Sequence, residues 1–263
     1  MLIDAHSHLD RYDLEDEGAL ESAIAEITQF RIFTISNSMD LVSYRRNLEI
    51  SEICEWVLPV FGVHPWNAPF YVDCLKEISE AIDQSPIIGE IGLDHYFVED
   101  DSAYPDQRKV LEYCLSAARE QGKIVILHTK GAEKEILDLL DQYEIQRVIV
   151  HWYSGSMDIF RELTARNAYF TVGIEVLYSK HIQTLAQEIP SRQLLTETDN
   201  PGGPKGFIGK SGMPGLLKDV IRGIAQARDT TNEALVETVH ANLVELTQGD
   251  PWLIDAHQRL LEE

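Results

Sequence analysis

The sequence predicts a single-domain α/β protein, a (β/α)8 barrel of the TIM type that spans residues 1–263. Eight short runs of apolar and β-branched residues alternate with amphipathic segments, which is the pattern of a parallel strand–helix barrel. No glycine-rich turn follows the first run, which disfavours an open, dinucleotide-binding sheet. Several runs end in a residue that can bind a metal, and only a closed barrel brings those ends around one centre. A length of 263 residues suits one such domain.

The apolar runs themselves set the bounds of the predicted strands. The strands cover residues 1–8, 31–37, 57–64, 87–93, 124–129, 147–152, 169–175 and 193–199. Helices are predicted over residues 15–29, 39–55, 70–84, 105–121, 132–143, 156–167, 178–189, 212–228 and 232–248. The segments 105–121 and 132–143 place their apolar residues on one helical face. Thr231 or Asn232 is expected to cap the helix that follows, and a short final helix is expected after Asp250.

The acidic composition limits the kinds of partner that the chain can bind. It carries 22 Lys and Arg against 44 Asp and Glu, a formal net charge of -22. Such a surface disfavours broad, sequence-independent binding to nucleic acid, because that binding relies on basic contacts with phosphates. It does not exclude a phosphate-bearing substrate, since remote charges are screened beyond about 8 Å at physiological salt. Bound divalent cations would then set the local field.

Cysteine use and hydropathy predict a reduced, cytoplasmic protein. The three widely spaced cysteines, Cys54, Cys74 and Cys114, form no CxxC pair, and an odd count disfavours a disulfide framework. No apolar run approaches the roughly 18 residues of a membrane span, so no membrane partner is expected. The first residues are predicted to form a strand directly, so no signal peptide is expected.

The predicted strand ends carry four histidines and two carboxylates that suit metal ions. His6 and His8 are two residues apart at the end of the first run, which places both imidazoles on one face of the strand. The other candidates end later runs, and they are Glu90, His128, His151 and Asp199. A carboxylate such as Glu90 within an apolar strand is costly unless it is paired, and a metal ion would remove that cost. Six donors are enough for two ions, and Asp199 also offers a base for bound water.

Three further residues near these strand ends are predicted to contact substrate. His64 ends the third run, either as a seventh ligand or, in the preferred interpretation, as a contact to a substrate phosphate. Lys130 lies two residues after His128 and can hold a phosphate oxygen as a point charge. Glu197 precedes Asp199 by two residues on the same face, which indicates a role beside the metals or in moving a proton. A purely structural role is the alternative for each of the three.

Six sequence elements, in order along the chain, resemble those of the TatD family of metal-dependent deoxyribonucleases, within the amidohydrolase-like barrels. They are His6–Asp10 (HxHxD), Gly62–Pro65 (GxHP), Gly89–Asp94 (GEIGLD), His128 (the histidine of HxR), His151–Gly155 (similar to HCFSG) and Glu197–Pro201 (ETDxP). The resemblance covers nearly the whole chain. It implies a TIM barrel that hydrolyses phosphodiester bonds with divalent metals, often from the 3′ end of DNA.

The resemblance also implies how the donors are shared between metal ions. Two ions would have one bridging carboxylate between them, with His6, His8 and Asp199 on one ion, His128 and His151 on the other, and Glu90 as the bridge. Asp199 and Glu90 are then the expected catalytic residues. The ions would be Mg2+, Mn2+ or Zn2+, and a histidine-rich set favours softer ions than a purely carboxylate site does.

Several departures from the family pattern bear on the choice of substrate. Lys130 stands in place of the usual arginine, which exchanges a bidentate phosphate fork for a point charge. Trp152 and Tyr153 replace the usual Cys and Phe, and His95 replaces a frequent tyrosine. The segment 240–246 lacks the Pro and Arg of the usual NPxRLF ending. Such departures are typical of a divergent subgroup, such as the TatD-like members of phage-defence operons.

Two other functions fit the same residues. The first is a metallohydrolase of a small-molecule ester or amide, because similar barrels host many reactions, although a bridging Glu90 in place of a carboxylated lysine argues against it. The second is a partner-dependent subunit of a multiprotein assembly, whose acidic surface would dock on a basic protein. The oligomeric state stays open. For a DNA substrate, the rings of Trp66, Tyr96, Trp152 or Tyr153 are candidates to stack on a terminal base.

Overall fold

Eight parallel strands form the centre of the computed structural model, which describes residues 1–14, 17–253 and 255–262. The strands are β1 Leu2–Ser7, β2 Ile32–Asn37, β3 Val57–Val60, β4 Ile87–Asp94, β5 Ile124–Lys130, β6 Val148–Val150, β7 Tyr169–Val172 and β8 Leu194–Thr196. Each strand coincides with one of the apolar runs, so the eight predicted strands are confirmed.

The strands close into a barrel through two junctions. They are ordered β1-β2-β3 in one hydrogen-bonded sheet and β4-β5-β6-β7-β8 in a second, and all pairs are parallel. A bridge between Phe61 and Ile88 joins the two sheets, and Gly89 N donates to Phe61 O there over 2.8 Å. At the other junction, Asp199 N donates to His6 O over 2.9 Å. This closure gives the (β/α)8 fold that the sequence predicted.

Helices cover the outside of the barrel. They are α1 Ala19–Phe30, α2 Leu41–Ile53, α3 Ala68–Tyr71, α4 Ser79–Gln84, α5 Tyr104–Gln121, α6 Glu133–Gln142, α7 Met157–Ala165, α8 Lys180–Glu188, α9 Lys205–Ile208, α10 Leu217–Ala227, α11 Asn232–Thr247 and α12 Asp255–Glu262. The prediction of one helix over 70–84 is wrong, because α3 and α4 are separate. The buried residues Val72 and Ile78 lie six positions apart, which breaks the helical repeat. Residues 15 and 16 of the helix predicted over 15–29 lie outside the described residues.

The core consists of strands that are buried on both faces. All residues of β4 are buried, and Phe33, Phe61 and Phe170 are among the largest side chains with almost no exposure. Parallel strands covered on both sides give continuous apolar runs, which is why the runs predicted the strands well. In the part of the chain that the structure describes, the helices are too short or too polar to span a bilayer.

The two helices predicted near the end of the chain are present. The Thr231 side chain caps α11 by accepting from Ala234 N over 3.2 Å, as the sequence predicted. The final helix α12 buries Leu260 and Leu261 against the core. These contacts hold the last helices on the outside of the barrel, away from the carboxyl ends of the strands.

Candidate metal centre

Seven polar side chains converge where the strands end. His6 lies on β1, Glu90 on β4 and His128 on β5, and four others follow β1, β3, β6 and β8, namely His8, His64, His151 and Asp199. All are buried except Asp199, whose side chain is 19% exposed. The structure therefore brings together the six predicted metal donors and adds His64 to them.

One oxygen of Glu90, Oε2, faces the imidazoles of the first strand. It lies 3.3 Å from both His6 Nε2 and His8 Nε2, which are 3.2 Å from each other. Asp199 Oδ1 completes the set at 3.7 Å from His6 Nε2 and 3.4 Å from His8 Nε2. Donors around a tetrahedral ion with metal–nitrogen bonds of about 2.0–2.1 Å lie about 3.4 Å apart. The spacing of these four atoms fits one cation.

The other oxygen of Glu90, Oε1, faces a second group of imidazoles. It lies 2.8 Å from His128 Nδ1, 3.2 Å from His151 Nε2 and 3.5 Å from His64 Nε2. The rings of His6 and His151 stack at 3.7 Å between centroids, so the two groups are in contact. A single carboxylate thus serves two adjacent sets of nitrogen donors.

The hydrogen bond made by His8 Nδ1 determines which nitrogen of this ring can bind a cation. His8 Nδ1 lies 3.0 Å from the carbonyl oxygen of Asn37, which can only accept a hydrogen bond. Nδ1 therefore carries the proton in the neutral ring, and Nε2 presents a lone pair toward Glu90. A lone pair that meets a carboxylate is unfavourable unless a cation or a proton lies between them.

His128 and His151 each lie between Glu90 and a second carboxylate. His128 Nε2 lies 3.0 Å from Asp94 Oδ2, and His151 Nδ1 lies 3.0 Å from Glu197 Oε2. The opposite nitrogen of each ring faces Glu90 Oε1. When the ring is neutral and donates to the outer carboxylate, that nitrogen presents a lone pair toward Glu90. This carboxylate–histidine arrangement is the usual support of a metal-binding imidazole.

In His64, the protonated ring nitrogen faces Glu90 and the unprotonated one faces the backbone of Trp66. Trp66 N donates to His64 Nδ1 over 3.2 Å, so Nδ1 is unprotonated. In the neutral ring the proton is then on Nε2, and His64 approaches Glu90 Oε1 as a hydrogen-bond donor. This geometry favours the predicted role of His64 as a substrate contact over that of a seventh ligand.

The crowding of charges shifts several pKa values. Burial would raise the pKa of Glu90, but imidazoles including His64 and His151 hold it well below its usual range. Burial would lower the pKa of His151, yet Glu197 and Glu90 raise it to about 10. At His64 burial dominates and lowers the pKa to about 4. Protons hold such a cluster together without a metal, and a metal displaces them on binding.

Two glycines of the sequence elements allow close backbone contact behind the donors. A Cβ on Gly62 would clash with the carbonyl oxygen of Glu90, and a Cβ on Gly92 would clash with that of His128. Gly92 also has a φ of 155°, which side chains rarely permit. The glycines of the GxHP and GEIGLD elements therefore fix the positions of Glu90 and His128.

Glu197 lies behind His151, away from the open end of the barrel. It is fully buried, and its Oε2 accepts from Thr171 Oγ1 over 2.6 Å in addition to facing His151 Nδ1. These contacts make Glu197 a positioning residue for His151. Its predicted contact with substrate gains no support from this position.

Lys130 supports the loop that follows β6. Its Nζ donates to Trp152 O over 2.7 Å and to Ser154 Oγ over 2.9 Å. Burial lowers the pKa of Lys130, although nearby carboxylates raise it in part, with the largest such effect from Glu197. The ammonium group therefore already shares its donors with two oxygens, and its contact with a phosphate stays a prediction.

Asp94 is a functional candidate to which the sequence assigned no role. Its Oδ2 faces His128 Nε2 and accepts from Trp66 Nε1 over 2.7 Å. Asp94 follows Glu90 by four positions on one strand, and this even spacing is the signal that places both carboxylates on the same face.

Among the aromatic candidates for base stacking, exposure separates two groups. Tyr153 is 4% exposed and its hydroxyl donates to Ser156 O over 2.7 Å, so the prediction that it stacks on a base is wrong. Trp66 and Tyr96 are 46% and 72% exposed, which leaves their rings accessible.

Comparisons with known proteins agree with this geometry. A family profile described as TatD related DNase matches residues 3–248. The chain is 30% identical over 253 residues to YabD of Bacillus subtilis, an uncharacterized metal-dependent hydrolase, covering 92% of this chain and 97% of that protein. It is 24% identical over 262 residues to human deoxyribonuclease TATDN3, covering 93% of this chain and 94% of that protein.

A solved structure supports the fold. The crystal structure of YJJV, a TatD homologue from Escherichia coli K12, matches with a TM-score of 0.84 at 23% identity. The match covers 93% of this chain and 97% of that chain. At this level of identity, the likeness bears on the architecture of the barrel alone.

Proposed function

Because the chain belongs to the TatD related DNase family of metal-dependent hydrolases, we propose that it hydrolyses phosphodiester bonds of DNA from the 3′ end. One observation carries this proposal. Glu90 directs each of its two oxygens at a separate set of imidazole nitrogens, on His6 and His8 at one side and on His128 and His151 at the other. Two divalent ions bridged by one carboxylate suit phosphodiester hydrolysis.

The donor atoms support one ion on each oxygen of Glu90. The proposed ligands are His6, His8 and Asp199 for the first ion, His128 and His151 for the second, and Glu90 for both. Mg2+, Mn2+ and Zn2+ are the candidates, and the four imidazoles favour the softer ions of this group. When bound, the ions would polarise the scissile phosphate and lower the pKa of water at the site.

Asp199 is the proposed proton acceptor. Its side chain is 19% exposed, whereas that of Glu90 is 2% exposed, so Asp199 is the carboxylate that water reaches from the mouth of the barrel. Asp199 Oδ1 faces His6 and His8, which leaves Oδ2 to orient the attacking water and take its proton.

His64 is the proposed donor to the phosphate. Its Nε2–H lies beside the bridging carboxylate, where a non-bridging phosphate oxygen would be held. A donor fixed at this position stabilises the negative charge that develops on the phosphate oxygens during hydrolysis. Lys130 would add a positive charge nearby if its ammonium turned from Trp152 O toward the substrate.

A nuclease assay with a matched pair of variants tests the proposal. We expect wild-type protein to shorten single-stranded DNA in the presence of Mg2+, Mn2+ or Zn2+, with a 3′ label released first. Glu90→Gln keeps the size of the side chain but removes the charge that both ions share. We expect it to lose more than about 100-fold in activity, because even supporting residues of metal sites cost about 10- to 100-fold.

The control is Glu120→Gln, which removes an exposed carboxylate from α5 and should leave activity unchanged. Metal content measured on the same samples separates loss of metal from loss of fold. The absence of cleavage by wild-type protein that contains bound metal would contradict the proposal. Cleavage by Glu90→Gln at the wild-type rate would contradict the role of the bridge.

A further inference from the structure

Three exposed aromatic rings lie together beside the donors, and we name them the aromatic ledge. Trp66, Tyr96 and Phe97 are 46%, 72% and 59% exposed. The centroids of Trp66 and Phe97 are 6.5 Å apart, and those of Phe97 and Tyr96 are 4.8 Å apart. Exposed apolar side chains that lie next to one another form a candidate surface for binding a ligand.

The aromatic ledge is continuous with the candidate metal centre. Trp66 Nε1 donates to Asp94 Oδ2 over 2.7 Å, and Asp94 Oδ2 lies 3.0 Å from His128 Nε2. The rings of Trp66 and His64 lie 4.7 Å apart between centroids. One residue, Asp94, therefore separates the ledge from a proposed ligand, and the ring of His64 touches it directly. The ledge therefore lies beside the donors, after the ends of β3 and β4.

The charge of the chain indicates what kind of contact the ledge supplies. With a net charge of -22, the surface repels a polyanion. The ammonium of Lys130 is shared between Trp152 O and Ser154 Oγ. Away from the metal centre, contacts other than those between basic side chains and phosphates must then contribute to the affinity for a nucleic acid, and the ledge offers aromatic stacking.

Resting on the phosphodiesterase function proposed above, we propose that the aromatic ledge is a subsite that stacks the base next to the scissile phosphodiester. A base inside a duplex has both faces covered by its neighbours, so the ledge can take a base of a single strand or the base at a strand end without unstacking. The inferred substrate is therefore a single strand or a strand end of DNA. Binding then depends on the ring contact and responds weakly to salt.

Phe97→Ala is the variant that isolates stacking. The phenyl ring carries no polar atom, so its removal leaves the hydrogen bond between Trp66 and Asp94 in place. Ile53→Ala is the matched control, because Ile53 is 69% exposed at the end of α2 that lies at the opposite end of the barrel.

Binding is measured first, without hydrolysis. Short single strands that carry 2-aminopurine at one end or the other are titrated with full-length protein in EDTA, and stacking is detected as quenched fluorescence. We expect quenching by wild type and by Ile53→Ala. The dissociation constant should be about tenfold weaker for Phe97→Ala, since one stacked base contributes about 1–3 kcal/mol.

Hydrolysis of the same strands with metal is measured second. For Phe97→Ala we expect KM to rise about tenfold at unchanged kcat. The slope of log KM against log salt concentration should stay below about 2, which corresponds to few phosphate contacts. An unchanged KM, a steep salt slope or the absence of quenching by wild type would each overturn the subsite. Quenching without any hydrolysis would instead overturn the proposed function and leave the subsite standing.

Discussion

Polar side chains are buried at both ends of the barrel, but their partners differ. At the amino ends of the strands, Lys123 Nζ donates to Ile82 O over 2.6 Å and to Asp83 O over 2.9 Å. Asn242 Nδ2 likewise donates to two backbone carbonyls, those of Ser191 and Leu194. In each of these contacts, a donor meets an acceptor.

At the carboxyl ends, several groups share one acceptor. Nitrogens of His8, His128 and His151 converge on the single carboxylate of Glu90, 2.8–3.3 Å from its oxygens. This contrast distinguishes a structural cluster from a candidate binding cluster. Buried polar groups with complete partners stabilise a fold, whereas imidazole nitrogens that converge on one carboxylate are held together by protons or by a cation. The proposed function therefore lies at the carboxyl ends of the strands, as is general for this barrel.

The largest effect is expected from removing a charge behind the donors. Glu197→Gln keeps the shape of the side chain but weakens its hold on the proton of His151 Nδ1. We expect metal affinity, measured by calorimetric titration with Mn2+ or Zn2+, to fall about 10- to 100-fold. The melting temperature in EDTA should change little, since the variant also removes a buried charge. Glu188→Gln, at an exposed position on α8, is the control, and an unchanged affinity for Glu197→Gln would contradict the positioning role of Glu197.

A substitution at the opposite end should have the converse effect. Lys123→Met leaves the carbonyls of Ile82 and Asp83 without their donor, which should lower the free energy of unfolding by about 2 kcal/mol. Metal affinity and kcat should remain at wild-type values. Lys134→Met, which removes an exposed lysine from α6, should leave all three quantities unchanged. A loss of activity for Lys123→Met would show that the two ends are coupled.

The smallest effect concerns pH. Burial lowers the pKa of Lys123 from 10.5 to about 8, so the folded protein releases this proton before the unfolded chain does. The destabilisation of the folded protein by the buried charge of Lys123 is therefore complete below pH 8, and it disappears as the pH rises from 8 toward 10.5. In denaturant unfolding at pH 7, 9 and 10, the free energy of unfolding of Lys123→Met should fall relative to that of wild type as the pH rises. If the free energies of the two proteins changed with pH in parallel, the lowered pKa of Lys123 would be contradicted.

The sequence predicted the strands well because each is buried on both faces. Strand β4, for instance, is a continuous apolar run apart from Glu90 and Asp94, and both exceptions belong to the site. Periodicity failed over residues 70–84, where the buried positions change phase between Val72 and Ile78. Short elements such as α9 contain too few residues to show a period.

The convergence of the candidate donor residues was also predictable from the sequence, but their hydrogen-bonding contacts were not. The position of His6 and His8 at a strand end places both beside the same carboxylate, as expected. Whether His64 is a ligand or a donor depends on the backbone N–H of Trp66, which is a contact that spacing cannot reveal. The pairing of Lys130 with Trp152 O similarly depends on how the loop after β6 folds back.

The closure of the barrel has a consequence for the order of events during synthesis. Asp199 N bonds to His6 O, and Thr198 N bonds to Asp4 Oδ1 across 194 positions of sequence. Contacts of such separation form late, because the whole intervening loop must first be ordered. A nascent chain that has not yet reached the eighth strand lacks Asp199 and the strand that closes the barrel. With Asp199 in its proposed role, hydrolytic activity arises only once β8 lies beside β1, and an unfinished chain is expected to be inert.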